Sequence, residues 1–371
     1  MFYPLHELLD KAANFTQLPS KKEEKWQHSP LSSYLDKQYQ DTRVLAPYIS
    51  LRDEQNFLEI YDGHLVASHL PSSVIIKEHT VACEIENNPF AFHASSSALH
   101  PLELNFFEDT QCSVYLKYSE DGFLSSNLNI IVQKNIKVEI FLVYEGAKNS
   151  FISHASHIKL EHNSQLILSE QKSLSPEAIM ISQDYFHLHE RSKAKIFKLF
   201  NEGEYLHAFI QADLQYKSDI DISSLLLTSS KQRYIVSCDI NHLADLSLSK
   251  VLSKQVLKDK SVTVFDAKTK VFKGTKQTQV HQASHALLLN NSAQAYAKPH
   301  LEIFSDDLSA SHGSTVGELS IEALGYLISR GITQTKAKEI LIQAFIFQCL
   351  DVINSKEHKH RIIKHLGYLD E

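Results

Sequence analysis

Glycine is scarce in this chain, 10 among 371 residues. Turns must therefore be made mainly by Asn, Asp, Ser and Lys, the other side chains suited to tight backbone. Cysteine is scarce and scattered. Cys83, Cys112, Cys238 and Cys349 are too far apart for a C-x-x-C element, which excludes the common zinc and iron–sulfur ligand motifs and fits free thiols in a reducing cytosol. No apolar run approaches bilayer length, so no membrane span is expected. Basic residues do not dominate: 37 Lys and Arg against 44 Asp and Glu leave a net charge of −7, which argues against a nucleic-acid partner. The opening MFYPLHELLDKAANF is amphipathic but acidic at Glu7 and Asp10, unlike a secretory or transit peptide. G-x-S-x-G, P-loop, dinucleotide and H-E-x-x-H fingerprints are all missing, and a cytoplasmic non-enzyme is the expectation.

What is present is short-range alternation. Residues 1 to about 45 read as helical, with Leu5, Leu8, Leu9 and Ala12 on one stripe and Leu31, Tyr34 and Leu35 on another. The sole tryptophan, Trp26, reads as a packing anchor between them. Short strands follow in FLEIYDGHLV and SVIIKE. From about Ala82 to Asp307 alternating strands alone appear, apart from a possible helix at Pro176–Ile181. A small residue recurs ahead of the alternation at Ser164, Ser192, Ser218, Ala244 and Ala293, the first four 28, 26 and 26 residues apart. Strands recurring at that period point to a solenoid whose coils bury their inward side chains only by stacking. A sandwich would want Asn-Gly or Asp-Gly hairpins, and only Asp62-Gly63 and Asp121-Gly122 qualify, both early.

Lys298–Gly331 joins this region to a helical one. Leu301 and Ile303 alternate into a polar corner at Ser305, Asp306 and Asp307. Ser309–Thr315 is small and polar around His312, which is expected on the joint. Leu319, Ala323, Leu324 and Leu327 then take helical spacing, with Ser320 at the helix start. Helices are expected at about Ile321–Ser329, Thr335–Asn354 and Lys356–Leu366, closed by Gly331 and Gly367. As a terminal helical unit they would cap the solenoid. Leu319, Leu324, Leu327, Phe345 and Phe347 carry more apolar surface than a short cap requires and are candidate partner-binding residues.

The chemistry on offer is thin. Adjacent strand residues such as Asp306 and Asp307 point to opposite faces, so they form no catalytic dyad and read as corner residues. His242, near Ser247 and Ser249, also reads as a corner residue. His312 beside Gly313 is the residue to single out: an imidazole binds iron or shuttles protons, or else hydrogen-bonds the joint.

The stretch resembles the C-terminal signature of the SufB/SufD family of iron–sulfur cluster assembly proteins, in its SufD form. Pro299, Leu301, Glu302, Ile303, Asp306 and Asp307 match P-x-L-E-I-x-x-D-D. Ser311, His312, Gly313, Thr315, Val316 and Gly317 match S-H-G-x-T-V-G, and Ser329–Ile332 match S-R-G-I. Leu18, Pro19, Glu24 and Trp26 resemble the family's N-terminal L-P-x-x-x-x-E-x-W. Ala310 departs, standing where the family often has cysteine, and Asp266 and Ala267 depart from the turn expected after Phe265. Ala82–Ile181 carries little of the resemblance.

The resemblance implies a mainly β fold, a right-handed parallel β-helix over 81–315 between an N-terminal α/β segment (1–80) and a C-terminal helical segment (316–371). It implies a scaffold subunit that pairs with a SufB-like subunit through the β-helix and holds a SufC-like ATPase on its C-terminal helices. His312 would serve cluster assembly at the SufB interface as its metal-facing residue. No cluster would be held stably by the lone chain; iron or an iron–sulfur cluster would pass transiently at the complex interface. The alternatives are a SufB-like cluster scaffold, whose β-helix cysteine Cys238 in VSCDI does not suggest, and a stand-alone carbohydrate-active β-helix enzyme.

Overall fold

The computed structural model describes residues 2–5, 19, 22–34, 37–41, 50, 52, 54–78, 88, 90–91, 94, 98, 100–353 and 355–368. Cys83 and the expected stripe residues Leu8, Leu9, Ala12 and Leu35 fall outside these.

From residue 102 onward the chain winds as a parallel β-solenoid of about eight turns. Each turn gives one strand to each of two sheets, and each interior strand pairs in parallel with its equivalents one coil before and after. One sheet contains Phe151–Leu160, Ile179–Leu188 and Tyr205–Leu214; the other contains Gln165–Leu174, Lys193–Phe200 and Asp219–Thr228. Alternation along each strand sends every second side chain into the lumen. Ile140, Leu168, Ile196, Ile222 and Val251 stack there in successive coils, all buried.

The corners explain how so little glycine suffices. Asn163, Arg191, Lys217 and Leu246 take φ of 56°, 60°, 56° and 61°. Each precedes a wholly or almost wholly buried serine: Ser164, Ser192, Ser218 or Ser247. The hydroxyl of each serine donates to the carbonyl three residues back, on Glu161, His189, Gln215 or Ala244. That bond and the stacking above it hold left-handed residues costing about 1–2 kcal/mol each. Asparagine and lysine were expected there; arginine and leucine were not.

The repeat is slightly misplaced in sequence. Ser249 pairs opposite Ile220, so the fourth anchor is Ser247 rather than Ala244, because the corner after His242 is longer. Ala293 belongs to the other sheet, ahead of Gln294, which pairs with Val262. Pro176–Ile181 is no helix: it is the corner leading into the strand Ile179–Leu188.

Among the described N-terminal residues Leu5 is helical, as expected, and the other regular elements are strands and 3-10 turns. Phe2–Pro4 and Gln38–Asp41 pair antiparallel, with single 3-10 turns at Glu24–Trp26 and Leu31–Ser33 between them. Their apolar residues instead cover the outer face of one sheet. Trp26 is the anchor, its ring centroid 5.1 Å from those of both His207 and Phe209 and 5.7 Å from Phe90. Asp62 and Gly63, with φ of 47° and 86°, close the expected hairpin between Phe57–Tyr61 and His64–Ser68.

Helix α1 (Ile321–Ser329) starts at Ser320, whose hydroxyl accepts from Ala323 N at 3.1 Å. Helix α2 (Gln334–Phe347) ends earlier than expected, in a 3-10 turn over Gln348–Val352. Cys349, Leu350, Val352 and Ile353 are all buried there, with Asp351 exposed between them. Helix α3 (Lys356–His365) follows. These helices do not cap the solenoid. They run back along the outer face of the second sheet, packing on Phe141, Phe197, Leu199, Leu225 and Val256, until Arg361 reaches Ser113 and Tyr115 near the first coils. The sheet's apolar outer face explains this: its aromatic and aliphatic residues are buried beneath the helices.

Gly146 turns the chain out of its strand at φ 87°, where a Cβ would lie 2.4 Å from the carbonyl oxygen of Tyr118. Gly146→Ala combines a disfavoured φ with a backbone collision and is expected to cost about 2–4 kcal/mol. Thermal denaturation checks it; an unchanged melting temperature contradicts this account.

Candidate interface at the open end

Leu308–Gly317 is the last strand of the second sheet. It pairs with Thr278–Leu288 along one edge and ends the sheet on the other. It is a full strand of ten residues, so the strand runs to Gly317, two residues past the expected boundary at 315, and His312 lies mid-strand. Every residue from Ser309 to Gly317 is exposed, because among the described residues no further coil covers them. Gln294–Ile303 ends the first sheet in the same way. Large apolar side chains stand open around this end: Ile303, Phe304 and Val316.

Register decides where His312 faces. It pairs opposite Gln282, which is wholly buried and donates from Nε2 across the lumen to Thr269 Oγ1 at 2.7 Å. His312 therefore shares the inward row, uncovered for want of a next coil. This corrects its expected place on the joint. Ala310 pairs opposite Val280 in the same row, so a cysteine there would stand two residues from the imidazole on one face; alanine supplies no ligand. On the other face His281 Nδ1 and Ser311 Oγ lie 2.7 Å apart, and His285 Nδ1 and Thr315 Oγ1 2.8 Å apart. Burial lowers the His285 pKa, helped by Lys254 and His281. Sequence reading passed over this pair; H-x-x-x-H inside a strand, with both on one face, was the available signal.

Asp306 and Asp307 occupy the exposed corner between the last two strands, where the Asp307 carbonyl accepts from Gln277 N at 2.7 Å. His242 is wholly buried, its two ring nitrogens 2.7 and 2.8 Å from Ser247 and Ser249, the corner role expected of it. Cys112, Cys238 and Cys349 are buried free thiols; burial pushes Cys112 and Cys349 up to about 12 and Cys238 higher. No group of three or more His, Cys, Asp or Glu stands ready for a metal among the described residues. No helix among them is long and apolar enough to cross a membrane.

The five apolar candidates separate. Leu319 and Phe345 pack against the core beneath the helices, Phe345 with the Lys254 ammonium 4.2 Å from its ring centroid. Leu324 and Leu327 are half-buried, with α2 the principal neighbour of α1. Phe347 is exposed at its edge, 5.9 Å from the Tyr368 ring. The open apolar face of α1 is instead Ile321, Tyr326 and Ile328, 81%, 59% and 43% exposed. A helix apolar on two sides was the sequence signal for a second contact.

Residues 115–345 match the family model described as SUF system FeS cluster assembly, SufBD core domain. The chain belongs to the SufB/SufD family. The matched span covers the parallel solenoid from its early coils, including much of the stretch where the motifs gave little, and continues through α1 and most of α2. Among SufB/SufD relatives, the iron–sulfur cluster assembly protein SufD of Escherichia coli is 29% identical over 150 residues, 40% of this chain and 36% of its own. SufD of Bacillus subtilis is 29% identical over 34% of this chain and 29% of its own. A SufBD family protein of Pyrococcus horikoshii is 26% identical over 58% and 56%. The matches thus span from under a third to just over half of these relatives' lengths, and the resemblance is greatest to SufD.

Proposed function

We propose that this chain is the SufD-type, non-enzymatic subunit of a cytosolic iron–sulfur assembly scaffold. Its uncapped last coil pairs with a SufB-like subunit, and its helical segment docks a SufC-like ATPase. The observation that carries the reading is the ten-residue edge strand Leu308–Gly317, open on both faces and along one edge. Proteins protect such edges, because free N–H and C=O groups recruit any passing strand. This one has neither proline nor lysine to blunt it, and its small Ser, Ala and Gly residues let another backbone approach. A second solenoid of the family could lay a strand or coil on it and complete both sheets. Exposed Ile303, Phe304 and Val316 would be buried at the same time. His312, inward in an uncovered coil, then faces the junction between the two lumens. There it would meet iron or a nascent cluster as passing cargo, with no second ligand from Ala310.

His312→Ala tests this in a host dependent on the system, with melting temperature, complex yield and cluster formation measured together. The expected result is loss of cluster formation with melting and complex yield unchanged, since an exposed strand histidine contributes little stability, about 0.5 kcal/mol or less. Parallel loss of all three would make His312 a structural residue. Failure of the wild-type chain to co-purify with a SufB-like partner would remove the pairing itself.

A further inference from the structure

The lumen holds a charged cluster that pairing and docking leave unused. Glu170, Lys172, Asp184 and Lys198 all point into it, none more than 3% exposed. Lys198 bonds Glu170 on the neighbouring coil of its own sheet and crosses to Asp184 of the other sheet at 2.6 Å. Lys172 also bonds Glu170, and its ammonium lies 4.4 Å from the Phe200 ring centroid and 5.0 Å from that of Tyr144. Ser156, a coil earlier, donates to Asp184. The same inward rows hold Leu142 before Glu170, Ser224 after Lys198, and Ile210 and Cys238 after Asp184. Two cations and two anions therefore meet at a single level of an otherwise uncharged stack.

Stability does not explain such a group. Desolvating four charges offsets their attraction, and apolar replacements of similar volume are commonly neutral or stabilising. Burial works against Glu170, yet Lys172 and Lys198 hold its pKa down at about 2. The solenoid has a problem that charge can solve. Its coils are nearly the same length and carry interchangeable aliphatics, as in the row Ile140, Leu168, Ile196 and Ile222. A chain skipping one coil would still bury apolar surface. We propose that the Glu170–Lys172–Asp184–Lys198 cluster is a register lock, selecting which coil stacks on which during folding. Skipping the intervening coil would lay Lys198 on Leu142 and strand Glu170 and Asp184 without their shared cation. Only the native stack pairs every charge.

The test replaces all four: Glu170→Leu, Lys172→Met, Asp184→Leu and Lys198→Met. A reporter, Lys137→Cys with Lys193→Cys, is introduced in this variant and in the wild type, each carrying Cys83→Ser. In the native stack Lys137 and Lys193 both flank Gln165, two strand spacings or about 9.6 Å apart, too far for a disulfide. Skipping one coil makes them neighbours. The expected result is that the fourfold variant melts no lower than wild type, yet on refolding accumulates the 137–193 cross-link and several sets of amide resonances. Lys198→Met alone, which leaves two anions without their shared cation, should melt lower by on the order of 10 °C. A fourfold variant that refolds to one species without the cross-link overturns the proposal. So does one that does not fold, because the cluster's worth is then stability rather than selection.

Discussion

Tyr326→Asp combined with Ile321→Asp is expected to abolish capture of the SufC-like ATPase proposed as partner, while leaving the solenoid intact. Both side chains lie on the open face of α1, more than half exposed, with the Arg330 guanidinium 5.3 Å from the Tyr326 ring centroid. Surface changes of this kind move stability by about 0.5 kcal/mol. If the two residues anchor a partner, each aspartate should cost at least about 2 kcal/mol of binding, and together about a thousandfold in affinity. Pull-down or calorimetry with the purified ATPase gives the affinity, and circular dichroism the fold. Phe345→Asp should behave differently. Phe345 sits under Lys254 and against the core beneath the helices, so its replacement lowers the melting temperature along with binding. Undiminished capture by the α1 double variant would place the ATPase elsewhere.

Acid should unfold this protein unusually early. Burial holds the imidazoles of His154, His242 and His358 at about 4, and that of His207 well below its ordinary value. In the unfolded chain these groups titrate near 6.5. Between roughly pH 6.5 and 4 the unfolded state therefore binds protons that the folded state refuses. Stability is retained above 6.5 and lost as pH falls through that window. Each histidine held at 4 removes up to about 3 kcal/mol, so three of them approach the about 5–15 kcal/mol on which a typical fold rests. Trp26 fluorescence followed against pH should show an unfolding midpoint between about 4 and 5. His242→Gln, whose amide can bond the same two serines without protonating, should move that midpoint lower. A chain still folded at pH 3.5 would contradict the assignment of these histidines as buried neutral groups.

The solenoid was legible because its information is local. Alternation and the buried corner serines Ser164, Ser192, Ser218 and Ser247 repeat often enough to be read, and the serine spacing slipped where one corner lengthens, after His242. The helix starts were local too: Ser320 caps α1 in the structure as it does on paper. At Leu31 and Tyr34 the N-terminal stretch misled, because these residues serve a sheet surface they meet from a distance. The spacing of Leu31 and Tyr34 mimics a helical stripe, while their burial comes from stacking against Tyr205 and its neighbours.

The candidate site was half legible. His312 was found by its motif, but its face was not, since pairing with Gln282 sets that and pairing spans 30 residues. His281 and His285 acquire meaning only when the last strand lies beside them. The apolar excess of the helices was plain, yet which part faces out depended on where they fold.

By itself the sequence determined the repeating strand, the coil length, the helix caps and the lack of catalytic and cluster-ligand motifs, all set within a few residues by sterics, hydrogen bonding and periodicity. Tertiary structure alone decided that the helices line the side of the solenoid, that the last coil stays open, and that four charges from three strands meet in the lumen. Those outcomes rest on which surfaces compete to bury one another, a comparison between distant parts that no local pattern records.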